Sequence, residues 1–418
     1  MRLVVVLSML ACTLGQGVPA YAQVDQQRAQ EYFKEAGALC ERDGGRLWGV
    51  SLCAPMVIGD ARMQTFATSP PPPDAPRPQL LGLVNGPVQW GGTTWAVTWD
   101  TIANWPARTR GEVFLHESFH IVQPALVPNG PAGANEHLDS LDGRYWLRLE
   151  WGALARALRE SGALRTRAVG EALAFRAARH AQFPDKVESE RVLYVTEGLA
   201  SYTQTVLAAP SEADAVARAL ELLADAQGGE SFVRTFTYTS GPAYGLLLDV
   251  ASPGWPRTVR GSDDPVVLLT RGLKVEPAPD AAAAAARYGG AALRAAEEQR
   301  AQQRQARLAE LRRRFVDGPV FVMPCGGSGT SNSLGAVVIP DAGTVYFHAY
   351  RLSGACGTLA ADNGVLETSD GRSRRLPAPV PGDASTISGD GWTFTAGAGW
   401  MIGEGPRPGD YEAVRQVP

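Results

Sequence analysis

The sequence predicts an α+β protein in which a mainly helical domain is followed by a small all-β domain. Two observations lead to this prediction. Residues 101–280 contain successive segments with apolar residues at helical spacing, which indicates packed helices. From Val316 onward, short β-prone runs alternate with Gly, Asp, Ser and Pro, a pattern that is typical of strands joined by turns. We therefore expect a helical core over 101–280 and a β domain over 316–418.

The rest of the chain is divided by composition. Residues 23–100 combine a short amphipathic helix over 29–39 with strand-like segments over 47–57 and 90–98, and they contain a proline-rich stretch that we expect to be an exposed loop. Residues 281–315 are rich in Ala, Arg, Gln and Glu, which favours a helix, with an interruption at a pair of glycines. We interpret this last segment as a solvated linking helix.

The N-terminus has the features of a secretory signal. Arg2 supplies a positive start, residues 3–14 an apolar run, and residues 20–22 (Ala-Tyr-Ala) an A-x-A cleavage site. We expect cleavage after Ala22 and a secreted or periplasmic protein. The run is shorter than the roughly 20 apolar residues that span a bilayer, and we expect no membrane span elsewhere. Lipidation at Cys12 is a second interpretation, which would leave a very short hydrophobic core.

Removal of this signal leaves Cys40, Cys53, Cys325 and Cys356. An even number of cysteines in an exported chain predicts two disulfides. Three pairings are possible, and we favour the local one, Cys40 with Cys53 and Cys325 with Cys356, because each pair lies within one segment. The four residues lack the C-x-x-C spacing of zinc or redox sites, so their expected role is structural.

The charge distribution excludes a nucleic-acid-binding protein. The formal net charge is −4 over 418 residues, and both signs are mixed along the chain. Nucleic acid requires a basic stripe or patch, and the sequence has none.

The most informative stretch is residues 116–120, His-Glu-Ser-Phe-His, an H-E-x-x-H pattern. Residues four apart on a helix lie on one face, so His116 and His120 can bind one metal ion while Glu117 points to the same place. We therefore predict a zinc site. The alternative is an ordinary helix with two hydrogen-bonded core histidines.

The flanking sequence indicates that this motif lies on a buried helix. Residues 109–112, Thr-Arg-Gly-Glu, have the form of a capping box at the start of a helix. Apolar residues follow, and Pro124 is expected to end the helix because it cannot donate a backbone hydrogen bond. Burying two imidazoles in such a setting is costly unless a metal or a hydrogen bond satisfies them.

Catalytic zinc usually takes three protein ligands and keeps one position for water. The strongest third candidate is Glu197, within residues 197–202, Glu-Gly-Leu-Ala-Ser-Tyr. Together with H-E-x-x-H, this stretch resembles the gluzincin zinc metallopeptidases, whose aminopeptidase-like branch carries E-G-x-A-x-Y on a later helix. The resemblance implies a zincin-like catalytic domain, Zn²⁺ as cofactor and Glu197 as third ligand. The gap after H-E-x-x-H is longer here, so inserted helices are expected, and Asp139, Glu136 and Glu150 are alternative ligands.

The same resemblance implies a donor to the oxyanion. Gluzincin aminopeptidases have a Tyr-x-Lys-Gly stretch after the third ligand, and its tyrosine donates to the oxyanion. Residues 238–241, Tyr-Thr-Ser-Gly, fit in order and spacing but lack the lysine. Tyr238 is therefore the candidate and Tyr244 the second choice. The resemblance covers roughly residues 109–250, and the branch's G-x-M-E-N element is missing, which counts against a dedicated aminopeptidase.

These features predict an exported zinc-dependent metallopeptidase that hydrolyses a peptide or protein substrate with Glu117 as general base. Two alternatives remain open. One is a zinc hydrolase of non-peptide amides or esters on a peptidase-like scaffold. The other is a binding or scaffold protein of the cell envelope with a vestigial H-E-x-x-H helix. The intact Glu117 argues against a vestigial site, because a structural zinc ion would not need it.

Overall fold

The computed structural model describes residues 24–60, 65–78, 85–331, 335–380 and 382–416. The chain divides into two compact units, the first ending at Ala295 and the second beginning at Ala296. The N-terminal unit is mainly helical and the C-terminal unit is mainly β-sheet, so the predicted α+β class is confirmed. The signal sequence and Cys12 lie outside the described residues.

Ten helices lie within the described part of the N-terminal unit, and an eleventh crosses its end. They are α1 (Gln26–Asp43), α2 (Ala107–Leu126), α3 (Leu141–Arg159), α4 (Gly162–Gln182), α5 (Val187–Leu193), α6 (Leu199–Ala208), α7 (Glu212–Asp225), α8 (Phe236–Ala251), α9 (Pro265–Leu273), α10 (Ala281–Ala285) and α11 (Gly290–Arg312). Gly289, with φ +69°, separates the last two.

A small sheet accompanies these helices. It consists of β1 (Met56–Gly59), β2 (Phe66–Ser69), β3 (Gly86–Trp90) and β4 (Thr93–Trp99), in the order β2-β1-β4-β3. The pair β1 and β4 is parallel and the other two pairs are antiparallel. Among the described strands β3 is therefore an edge strand, with one side free of a neighbour.

Helix α2 lies between this sheet and the helical core. On one side, Phe114 packs with Phe33 of α1 in a core cluster shared with β1 and β4. On the other side, Phe119 packs against Trp48, with ring centroids 4.7 Å apart, in the large core built from α3, α4, α6 and α8. Apolar contacts on both sides of α2 fix its position in the unit.

The ends of α2 differ from the sequence prediction. The helix begins at Ala107, so Thr109 lies inside the first turns and the predicted capping box is wrong. The Glu112 carboxylate is instead buried and accepts two hydrogen bonds of 2.7 Å from the Arg218 guanidinium on α7. The helix also continues past Pro124 to Leu126, because a proline in the last turn removes only one backbone donor.

The segment after α1 also corrects a prediction. The strand expected over 47–57 is reduced to β1 at its end. The Asp43 carboxylate accepts hydrogen bonds from the amides of Gly45 and Leu47, which forms a turn where an extended strand was expected. The disulfide between Cys40 and Cys53 closes this turn, as the local pairing predicted.

The C-terminal unit contains two sheets. Its strands are β5 (Val320–Met323), β6 (Gly327–Thr330), β7 (Val337–Ile339), β8 (Gly343–Tyr346), β9 (Tyr350–Gly354), β10 (Gly357–Ala361), β11 (Val365–Thr368), β12 (Arg374–Pro377), β13 (Thr386–Gly389), β14 (Trp392–Ala396), β15 (Trp400–Glu404) and β16 (Tyr411–Arg415). The orders are β13-β14-β10-β9-β6 and β15-β16-β5-β12-β11-β8-β7.

Side chains from both sheets share one core. Phe321 of β5 contacts Phe394 of β14, with ring centroids 4.7 Å apart, and both side chains are fully buried. The second predicted disulfide, Cys325 with Cys356, joins the end of β5 to the turn before β10. The two disulfides fit an oxidising, non-cytoplasmic compartment.

Among the described residues, no helix combines the length and the apolar character needed to cross a membrane.

Helix α8 approaches the segment before α6 at two glycines. A Cβ atom on Gly241 would collide with the backbone of Gly198, so this close approach requires glycine at position 241.

We predict that Gly241→Ala lowers the stability of the N-terminal unit by about 1–3 kcal/mol, the usual cost of overpacking. The measurement is thermal and urea-induced unfolding followed by circular dichroism. The matched control is Gly37→Ala in α1, where a Cβ atom meets nothing within 4 Å and where removal of glycine from a helix should stabilise by up to about 1 kcal/mol. Equal effects of the two variants would contradict the close approach.

Candidate metal centre

His116 and His120 lie on one face of α2 and turn their rings toward a common point. Their Nε2 atoms are 3.1 Å apart, and the two rings are nearly perpendicular. His116 is buried and His120 is partly buried. The four-residue spacing therefore places both imidazoles on one face of the helix, as the sequence predicts.

Glu197 reaches the two histidines from a different helical segment. It lies in a π-helical turn, Tyr194–Gly198, which continues into α6. Its Oε2 atom is 3.2 Å from Nε2 of His116 and 3.6 Å from Nε2 of His120. Helices α3, α4 and α5 occupy the long interval before Glu197. The three possible ligand atoms all lie within 4.8 Å of one another.

Two alternative ligands lie outside this cluster. The Asp139 carboxylate accepts a 2.8 Å hydrogen bond from the backbone amide of Phe232, at the start of the segment that leads to α8. Glu136 is exposed and pairs with Lys186 at 3.5 Å. Neither carboxylate belongs to the group formed by the two histidines.

Glu150, the third alternative ligand, is hydrogen-bonded to Tyr244, the second candidate for the oxyanion donor. Glu150 is buried and accepts hydrogen bonds from Arg179 at 2.6 Å and from the Tyr244 hydroxyl at 2.8 Å. Tyr244 is itself fully buried. Both side chains belong to the ionic network of the helical core and not to the candidate metal centre.

Two glutamines fix the protonation of the histidine rings. Nδ1 of His116 is 2.8 Å from Oε1 of Gln204, and Nδ1 of His120 is 2.8 Å from Oε1 of Gln123. An amide oxygen can only accept, so each Nδ1 carries the hydrogen and each Nε2 of a neutral ring keeps its lone pair. The lone pairs are thus on the atoms that face Glu197, as metal ligation requires.

Gln123 also connects the two segments that supply the ligands. Its Nε2 atom donates to the carbonyl oxygens of Val195 and Thr196, at 2.8 and 2.9 Å. These carbonyls belong to the turn that carries Glu197. One buried side chain therefore orients His120 and holds the third candidate ligand beside it. Neither Gln123 nor Gln204 is predicted from the sequence, although a glutamine three residues after His120 on one helix is a usable signal.

The group fits a metal ion on chemical grounds. The two Nε2 atoms and Oε2 of Glu197 are all hydrogen-bond acceptors, and acceptors this close repel one another unless a cation or a proton lies between them. Two imidazoles and one carboxylate are the ligands that zinc and related transition metals prefer. His116, His120 and Glu197 could therefore hold one metal ion.

The ionisable side chains of this group shift one another's pKa values. Burial alone would raise the pKa of Glu197, but hydrogen bonds from His116 and His120 in their protonated forms and from Tyr238 outweigh it and hold that pKa well below the usual range. Burial alone would lower the pKa of His120, but hydrogen bonds with Glu197 and Gln123 raise it above its ordinary value. Glu197 thus keeps a negative charge where a cation would bind.

Glu117 and Tyr238 lie beside the three ligand atoms. Burial raises the pKa of Glu117, and the two neighbouring imidazoles oppose this rise. The Tyr238 hydroxyl donates a 2.6 Å hydrogen bond to Glu197, and its ring stacks on His116 with centroids 5.5 Å apart. Burial and the negative charge of Glu197 both raise the pKa of Tyr238, so this hydroxyl keeps its proton.

The edge strand β3 also borders the group. A Cβ atom on Gly86 would lie 3.9 Å from Oε2 of Glu117, so the backbone of β3 passes close to this carboxylate. The first residue of an edge strand therefore lies next to the residue predicted as general base.

The chain was compared with protein-family models, with curated proteins and with solved structures, and none of them matches it.

We predict that Glu197→Ala weakens zinc binding by more than the roughly 10–100-fold that is typical of losing an outer-shell partner, because it removes one of three ligands. Zinc affinity is measured by competition with a chromogenic chelator. Asp139→Asn is the matched control, since an asparagine oxygen can still accept from the amide of Phe232, and its affinity should equal that of the wild type. Unchanged affinity in Glu197→Ala would assign the third ligand elsewhere.

A second prediction concerns Gln123. Gln123→Met keeps the length of the side chain but removes both of its hydrogen-bonding functions, so zinc affinity should fall by about 10–100-fold. The control is Gln89→Met on the exposed side of β3, which should bind zinc like the wild type. Equal affinities of the two variants would show that Gln123 does not position the ligands.

Proposed function

We propose that the protein is an exported zinc-dependent metallopeptidase that resembles the gluzincins. The observation that carries this proposal is the convergence of His116, His120 and Glu197 on one point, with the Glu117 carboxylate beside it. A helix that had lost its function would not be expected to keep a buried carboxylate next to three candidate ligands, since an unpaired buried charge is costly.

The nitrogen and oxygen ligands would leave zinc an open position for water. Bound zinc would lower the pKa of that water and polarise the scissile carbonyl. Glu117 would accept a proton from the water and pass it to the leaving nitrogen. Its position supports this role, because Glu117 follows His116 on α2 and its carboxylate lies beside the three candidate ligands.

Tyr238 would donate a hydrogen bond to the oxyanion of the substrate. Its hydroxyl is protonated, is part of the same cluster and is held by Glu197 and by stacking on His116. To act on the substrate it would exchange its bond to Glu197 for one to the oxyanion. A single donor of this kind typically contributes about 3 kcal/mol to the transition state.

A peptide substrate is favoured over a small ester by the edge strand. An extended peptide can add to a free strand edge through backbone hydrogen bonds. Strand β3 offers such an edge among the described strands, and its residue Gly86 lies close to Glu117. A peptide paired with β3 would bring its backbone carbonyls next to the candidate metal centre.

Export is part of the proposal. The signal-like residues 1–22 would direct the chain out of the cytoplasm, to the periplasm or the medium. The two disulfides support this location, since such bonds persist in oxidising compartments.

We predict that Glu117→Gln keeps zinc and loses nearly all turnover, because the amide cannot accept the proton of the water. The test is cleavage of a diverse peptide library by the zinc-loaded wild type and by the variant, with zinc content determined for both. Cleavage by the wild type alone supports the proposal. Equal cleavage by both proteins contradicts the role of Glu117, and no cleavage by either favours a non-peptide hydrolase or a binding protein.

A further inference from the structure

The N-terminal unit contains a cavity of about 740 Å³ whose lining includes none of the candidate metal ligands. It lies among the end of α1, helix α6, the start of α7 and the end of α8. Leu39, Leu47, Val206 and Leu246 contribute apolar wall. The volume is in the range of roughly 300–1,000 Å³ that is usual for small-molecule sites.

One carboxylate in this lining is incompletely satisfied. Oδ1 of Asp249 accepts hydrogen bonds from the Tyr202 hydroxyl at 2.7 Å and from Nε1 of Trp255 at 3.0 Å. Both donors are neutral, and Tyr202 is fully buried. Within the described residues Asp249 has no ion pair and its Oδ2 atom accepts no side-chain hydrogen bond. Asp249 is half-buried, and a carboxylate partly removed from water without a cationic partner is less stable than one in water.

The charged groups near Asp249 do not supply the missing cationic partner. Burial raises the pKa of Asp249, and the negative charge of Glu212, which also lines the cavity, adds to the rise. Two arginines of the lining are bound to backbone oxygens: Arg42 donates to the carbonyl of Leu207 and Arg257 to that of Arg46.

The remaining charged groups of the lining are Asp43 and Arg46. The Asp43 carboxylate accepts from backbone amides in the turn after α1. The side chain of Arg46 is exposed and has no ion pair in the described part of the chain. It could attract an anion, and this makes an anionic ligand the competing occupant that a test has to exclude.

We propose that this cavity binds a small apolar primary amine. The ammonium group would pair with the Asp249 carboxylate and donate to its Oδ2 atom, and the alkyl group would contact the apolar wall. Pairing with an ammonium is the usual way in which a half-buried carboxylate is stabilised. Tyr202, the last residue of the E-G-x-A-x-Y stretch, thus holds Asp249 in the cavity and takes no part in the metal centre.

The proposal does not depend on the peptidase function. It requires only the end of α1 with the turn that follows it, α6, the start of α7 and the end of α8, and its lining shares no residue with the candidate ligands. A protein that cleaves no peptide could still bind an amine here, and a confirmed peptidase could fail to bind one.

The test is isothermal titration of the full-length protein with three probes of similar shape: isoamylamine, isoamyl alcohol and isocaproate, each at millimolar concentration and neutral pH. We expect the amine to bind at least about tenfold more tightly than the alcohol and the acid. No binding of the amine, equal binding of all three, or tighter binding of isocaproate would overturn the proposal.

Substitutions in the cavity lining test whether the amine binds in this cavity. Asp249→Asn removes the charge but keeps an oxygen that can accept from Tyr202 and Trp255, so the fold should persist while amine affinity falls at least about tenfold. Val250→Trp at the cavity rim should also weaken binding, whereas Val267→Trp, equally exposed but outside the lining, should not. Unchanged amine affinity in Asp249→Asn would overturn the proposal.

Discussion

The contact between α2 and the segment that leads into α6 is the interaction on which the candidate metal centre depends. The two histidines are local to α2, but Gln204, the Nδ1 partner of His116, and the carboxylate of Glu197 come from across this contact. Gln123 crosses it in the other direction, to the carbonyls before Glu197. A shift of either helix would therefore separate the candidate ligands and release the ring of His116 at the same time.

The helices between His120 and Glu197 are held together by buried ion pairs. Arg179 of α4 pairs with Glu150 of α3 at 2.6 Å and with Glu190 of α5 at 2.8 Å, and all three side chains are almost completely buried. His137 and His180 also bond to Glu190. Loss of one partner in such a network leaves an uncompensated charge, which is strongly destabilising. The network thus fixes α5, and α5 leads directly into the turn that carries Glu197.

Local patterns in the sequence were sufficient to predict the histidine pair and the fold class, because helical spacing and strand composition can be recognised within a few residues. Glu197 lies 77 residues beyond His120 and was reached through a resemblance between motifs. The role of Gln204 was not predictable, since it arises only when α6 packs on α2. The capping box failed for the same reason: Glu112 has a tertiary partner, Arg218, that outweighs the local alternative.

The central claim is that one zinc ion is bound by His116, His120 and Glu197. The most direct measurement is an anomalous difference map at the zinc absorption edge, from crystals of the protein with equimolar zinc. The account predicts a single strong peak about 2.0–2.2 Å from both Nε2 atoms and from a Glu197 carboxylate oxygen. A map without a peak at this position, or with its main peak at other residues, would contradict the account.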